Sequence, residues 1–181
     1  EGFCLFDSKY TDYKITNTAF GRDLVKEYAD AFRAEGLKVG FYYSLLDWHH
    51  PDFPIDRKHP RRLDADAKEQ DKGRDVRKYA EYMRNQVEEL LTNYGKIDIL
   101  WFDFSYIDSK NPPRPWMKGK IREDWEATEL LALARKLQPH IIIDNRTGYD
   151  QDLWTPEQYQ PHEWVKHPET GELVTWEACQ T

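Results

Sequence analysis

Short, almost unbroken apolar runs alternate along this chain with longer stretches in which apolar residues recur every three or four positions. The runs predict strands at residues 2–6, 38–43 (centred on Val-Gly-Phe-Tyr-Tyr), 97–102 and 141–143. The longer period predicts a helix at about 23–35, with Leu24, Tyr28 and Phe32 on one face. A second, at about 74–93, turns Val76, Tyr79, Met83, Val87, Leu90 and Leu91 inward, and a third, at about 125–137, stops before Pro139. Gly36 and Gly95 are placed to end the first two. Residues 44–72 and the Pro-rich 108–119 read as loops, and a further strand is expected at 173–176.

This order, β-α-β-α-β-α-β with a fifth strand, calls for parallel pairing, because crossover helices return the chain to the same sheet end. Continuous apolar runs suggest strands buried on both faces. The connections from helix to strand are very short, such as Gly36-Leu37 and Gly95-Lys96, whereas those after strands are long and carry Trp, His, Asp and Glu. In α/β barrels the loops after the strands form the active face. The fold class is therefore α/β, a parallel (β/α)8-type barrel. A whole barrel takes about 250 residues, so five strands are roughly half to two-thirds of one. A small open doubly wound sheet is the competing architecture, but no glycine-rich phosphate loop follows the first strand, so nucleotide binding has no support.

Composition narrows the partners. The 181 residues carry 26 basic and 33 acidic side chains, a formal charge of −7, which argues against nucleic acid or an anionic membrane as the main partner. No apolar stretch is long enough to span a membrane. Cys4 and Cys179 make neither a disulfide framework nor a zinc motif, so no metal or cofactor is called for. Seven Trp and eleven Tyr supply a core and, near strand ends, flat surfaces on which a sugar stacks.

Asp103 is the leading candidate for chemistry. Period-two alternation puts Ile99, Trp101 and Asp103 on one face, so the acid points into the mouth of the sheet, where a carboxylate costs desolvation energy. A helix cap or salt bridge is the plainer explanation. Glu177, after Trp176, repeats that placement at the end of the fifth strand, and Glu157 lies in the loop after the strand at 141–143. Two carboxylates at one barrel mouth allow glycoside hydrolysis. Trp48, Trp101, Trp154 and Trp176 lie at or near strand ends, although core packing is the commoner fate of Trp. His49 and His50 share one loop and point different ways, a poor pair of metal ligands. Arg146 follows the Ile-rich strand, where it can bind a hydroxyl, hold a catalytic carboxylate ionised or pair with Asp144.

Several segments together resemble one family. Residues 2–13 (Gly-Phe-Cys-Leu-Phe-Asp-Ser-Lys-Tyr-Thr-Asp-Tyr), Gly21-Arg22-Asp23-Leu24-Val25, Gly40-Phe41-Tyr42-Tyr43-Ser44 and Asp47-Trp48 resemble the α-L-fucosidases of glycoside hydrolase family 29, as do Ile99-Leu100-Trp101-Phe102-Asp103, Asn145-Arg146 and Trp176-Glu177. The resemblance implies a (β/α)8-like catalytic domain that releases terminal α-L-fucose from fucosylated glycans or glycosides, with retention and without a metal. Asp103 would be the nucleophile, with Trp101 lining the pocket. Arg146 and one of Tyr42 and Tyr43 would contact the sugar; by their own place near the end of the second strand, Trp48 and His49 are further candidates for sugar contact. Glu157 is the first choice for acid/base and Glu177 the second. Members carry a His-His pair just before the stretch matching Glu1-Gly2-Phe3, so residues 1–181 are expected to be a fragment of the catalytic domain. It would lack the domain's start, its last strands and a C-terminal β-sandwich, and its exposed strand edges would invite self-association. The competing classes are a non-catalytic carbohydrate-binding fragment, which needs aromatics but no strand-end acid, and a metal-dependent barrel enzyme.

Overall fold

A computed structural model describes residues 2–103, 120–156, 158 and 161–179. Its centre is a parallel sheet of β1 (Gly40–Ser44), β2 (Ile99–Asp103) and β3 (Ile142–Ile143), in that order. The register pairs Tyr42 with Trp101 and Ser44 with Asp103. The connections are helical: α1 (Leu24–Ala34) precedes β1, a short α2 (Ala67–Gln70) and the long α3 (Val76–Asn93) lie between β1 and β2, and α4 (Ala127–Leu137) precedes β3.

Local chemistry sets the helix ends. The Asp23 carboxylate accepts the Lys26 N–H at 2.9 Å, and Asp75 accepts the Arg77 N–H at 3.0 Å, each satisfying a first-turn donor. Gly36 and Gly95, at φ near +71°, take the left-handed turns that follow α1 and α3. Gln138 then fastens the layers: its amide donates to the carbonyls of Leu91 and Gly95 and accepts from Ile97 N–H. The end of α3 and the approach to β2 are thereby tied to the end of α4.

Among the described residues the sheet is covered on one face only. Phe41, Leu100, Phe102 and Ile143 pack with Met83, Val87, Leu90, Trp125, Leu130 and Ala134 of the helical layer. On the other face Tyr42 and Ile142 are exposed, and Trp101 and Asp103 are half-buried. Of the burial expected on both faces, the described residues show one: the apolar runs divide with period two into packed and open positions. The stripe expected on α1 is likewise only partly used. Ala29 is buried and Val25 and Tyr28 pack on the core, while Leu24 and Phe32 stay exposed, Phe32 with its ring against Tyr28.

Residues 2–6 do not join the sheet. Cys4 makes a single parallel bridge with Lys14, exchanging hydrogen bonds with Tyr13 and Ile15, and Cys4 and Phe6 anchor the segment to the core. The expected strand at 173–176 resolves into two isolated bridges, Leu173 antiparallel to Lys166 and Trp176 parallel to Trp154.

Candidate active site

The open face of the sheet gathers its chemistry at the carboxyl end of β2. Asp103 ends that strand. Its Oδ2 accepts a 2.7 Å hydrogen bond from the Tyr42 hydroxyl, and its Oδ1 lies 3.5 Å from Nη1 of Arg146. The Asp103 and Arg146 side chains are 18% and 16% exposed, shielded enough for the ion pair to act more strongly than a surface pair. Tyr42 stacks on Trp101, with ring centroids 5.5 Å apart and planes 20° from parallel. The guanidinium carbon of Arg146 sits 4.9 Å from the centre of the same indole, a cation–π contact. The Trp101 indole N–H donates to Oε1 of Glu177.

Backbone pairing beyond β3 carries Glu177 to this place. Leu153 N–H donates to Ile143 and Asn145 N–H to Leu153, so residues 153 and 154 run alongside the end of β3. Trp154 N–H donates to Thr175, and Glu177 N–H returns to Trp154, both at 2.9 Å. Two further rungs thus extend the sheet's carboxyl edge, and Glu177 reaches back across it to Trp101. Arg146 is fixed from the same side. Its Nε donates to the Thr155 hydroxyl and its Nη2 faces the Thr155 carbonyl at 3.4 Å, while Asn145 Oδ1 accepts from the Thr155 N–H and hydroxyl.

The structure therefore brings together Asp103, Tyr42, Trp101, Arg146 and Glu177. It turns Tyr43 to the opposite, helix-packed face, where its hydroxyl donates to Gln86 Oε1 at 2.7 Å and burial raises its pKa well above the ordinary phenol range. Trp48 packs against the core with its indole N–H buried and unpartnered among the described residues. His49 is stacked on Tyr13, ring centroids 3.9 Å apart. His50 packs on Tyr79 and Tyr82, and burial lowers its pKa. Glu157 lies outside the described residues; its neighbour Gln158 donates its N–H to the Cys179 carbonyl, two residues past Glu177. A cavity of about 300 Å3 opens between residues 2–6 and β1; Tyr42 and Ser44 line it, and Asp103 does not.

Thr155 and Asp144 are contributors that the sequence reading missed. Asp144 does not pair with the Arg146 guanidinium; its Oδ1 accepts the backbone N–H groups of Phe102 and Arg146. The available signal was its place, an acid directly after an apolar strand, like Asp103.

A family model described as Alpha-L-fucosidase matches residues 1–181. The chain belongs to the alpha-L-fucosidase family. It is 30% identical over 155 residues to Alpha-L-fucosidase 1 of Arabidopsis thaliana, covering 83% of this chain and 24% of that relative. With Plasma alpha-L-fucosidase of Homo sapiens it shares 25% identity, over 91% of this chain and 33% of the relative. Among solved structures, Alpha-L-fucosidase isoenzyme 1 from Paenibacillus thiaminolyticus superposes with a TM-score of 0.85 at 52% identity, over 99% of this chain and 42% of that one. A GH29 alpha-L-fucosidase from Bacteroides thetaiotaomicron superposes with a TM-score of 0.73 at 26% identity, over 99% and 39%. The chain thus spans less than half the length of these relatives.

Proposed function

We propose that this chain is the central part of a (β/α)8 catalytic domain that hydrolyses terminal α-L-fucosides with retention of configuration. The observation that carries the reading is the placement of Asp103: a strand-end carboxylate on the uncovered face of a parallel sheet, held by a phenol and a guanidinium and floored by an indole. In a barrel this face turns to the interior and its carboxyl end to the active side. Solved relatives include AlfC D200A in complex with Fuca(1,6)GlcNAc and AlfC from Lactobacillus casei in complex with alpha-L-fucose product, which supports a fucosylated substrate.

In this reading Asp103 attacks the anomeric carbon as the glycosidic bond breaks, forming a fucosyl ester and releasing the aglycone. Tyr42 and Arg146 hold both carboxylate oxygens, so one lone pair is aimed at the anomeric carbon. An acid protonates the departing oxygen and then takes a proton from the water that cleaves the ester. Glu157 is our first choice for this role. Glu177 already accepts the Trp101 indole N–H, which favours a part in setting the pocket floor, and it is the second choice. Retention requires the two carboxyl groups about 5–5.5 Å apart. Trp101 offers an apolar face to the C6 methyl of fucose.

The test is the anomer first released from an aryl α-L-fucoside by the protein expressed with its natural flanking sequence, followed by NMR. The α anomer is expected. The β anomer rejects the double displacement, and binding of fucose without turnover leaves the non-catalytic carbohydrate-binding reading.

A further inference from the structure

Asp144 follows β3 directly and its side chain is fully buried. Oδ1 alone ties two parts of the site together. It accepts the N–H of Phe102, the residue before Asp103, at 3.2 Å, and the N–H of Arg146, whose guanidinium faces Asp103, at 3.4 Å. Oδ2 is buried without a hydrogen-bond partner among the described residues. Burial raises the carboxyl pKa to about 7; the two backbone hydrogen bonds and Arg146 oppose the rise, and Glu177 adds to it. A buried acid with one oxygen unsatisfied is costly to the fold, which marks the position as serving something other than packing.

We propose that Asp144 is a positioning residue of the active site, holding the Phe102–Asp103 strand end and the Asn145–Arg146 turn together so that Arg146 meets Asp103. This rests on the fucosidase reading above. What the position must supply is an acceptor oxygen at Oδ1; a negative charge is dispensable. The role therefore separates two substitutions that charge alone would group together.

The test measures kcat and KM on an aryl α-L-fucoside, with the protein in its natural flanking sequence. Asp144→Asn keeps the acceptor and is expected to hold kcat within about threefold. Asp144→Ala removes it and is expected to lower kcat by about tenfold or more, with far-UV circular dichroism unchanged. Introduced into Arg146→Ala, the same change is expected to cost less than about threefold, because no guanidinium remains to be aimed. Equal losses in the two backgrounds overturn the proposal, as does an Asn variant no better than Ala. Should the Ala variant fail to fold, Asp144→Glu replaces it: its extra methylene should displace the turn and lower kcat, and full activity overturns the proposal. A wild-type protein that turns over no fucoside overturns the fucosidase reading instead. The positioning is then read from a crystal structure of Asp144→Ala, or of Asp144→Glu if that variant has replaced it, where an Arg146 guanidinium still against Asp103 and Trp101 counts against it.

Discussion

Tyr42 donates to Asp103 from a diagonal position on the neighbouring strand: it is paired in register with Trp101, and its hydroxyl crosses to Oδ2 two residues further along β2. One hydrogen bond thus spans β1 and β2 at the point where the proposed nucleophile emerges. Tyr42→Phe should leave thermal stability nearly unchanged, because the ring is largely exposed and its stacking survives. Loss of a charge-assisted hydrogen bond should lower kcat/KM by about tenfold. Steady-state kinetics beside a melting curve checks this; an unchanged kcat/KM contradicts it.

Arg146 meets three kinds of surface at once: a carboxylate, an indole face and the Thr155 hydroxyl. An ammonium has no plane to lay on the indole while its other donors reach sideways. Arg146→Lys should therefore lose at least about tenfold in kcat/KM although the charge is kept. Activity near wild type would show that charge alone suffices.

The two glutamates separate by leaving-group dependence. With Glu157→Ala, aryl fucosides bearing good leaving groups should lose far less activity than natural linkages, because little protonation is needed. Glu177→Ala should slow both substrate types alike, through loss of its hold on the Trp101 indole. If the patterns are exchanged, so are the roles.

The three long helices, and the strand that ends at Asp103, were legible because repeated apolar spacing, with Gly36 and Gly95 closing the first two helices, defines them within a few residues. Residues 2–6 read as a strand equally well, yet an apolar run does not say which backbone will answer, and Cys4 found Lys14 instead of β1. The same limit applies to 173–176, whose pairing with Trp154 depends on a distant turn. At the site, alternation placed Asp103 and Trp101 together. Adjacent Tyr42 and Tyr43 left the choice open until the register and the helical layer fixed the open face. Thr155 acts through loop geometry, which spacing does not encode, and Asp144 was marked only by its place directly after an apolar strand.

Asp144 also gives a pH signature. Its folded-state pKa of about 7 lies above the ordinary value near 3.8. The stability linked to its proton is full below the unfolded pKa and is lost as pH rises through about 7, since the unfolded chain ionises more readily. Asp144→Asn does not titrate there. Its melting temperature relative to wild type should climb from about pH 4 to pH 8, by some degrees in all. A constant difference across that range would contradict the buried neutral acid.

The most direct measurement is made on Asp103→Gly in the full protein with an aryl α-L-fucoside, with and without sodium azide. Without azide, hydrolysis should fall by several orders of magnitude. With azide, turnover should partly return, and the product should be β-L-fucosyl azide, formed as the small anion enters the space left by the carboxylate. Near-normal hydrolysis by the glycine variant, or no azide product, would contradict Asp103 as the nucleophile.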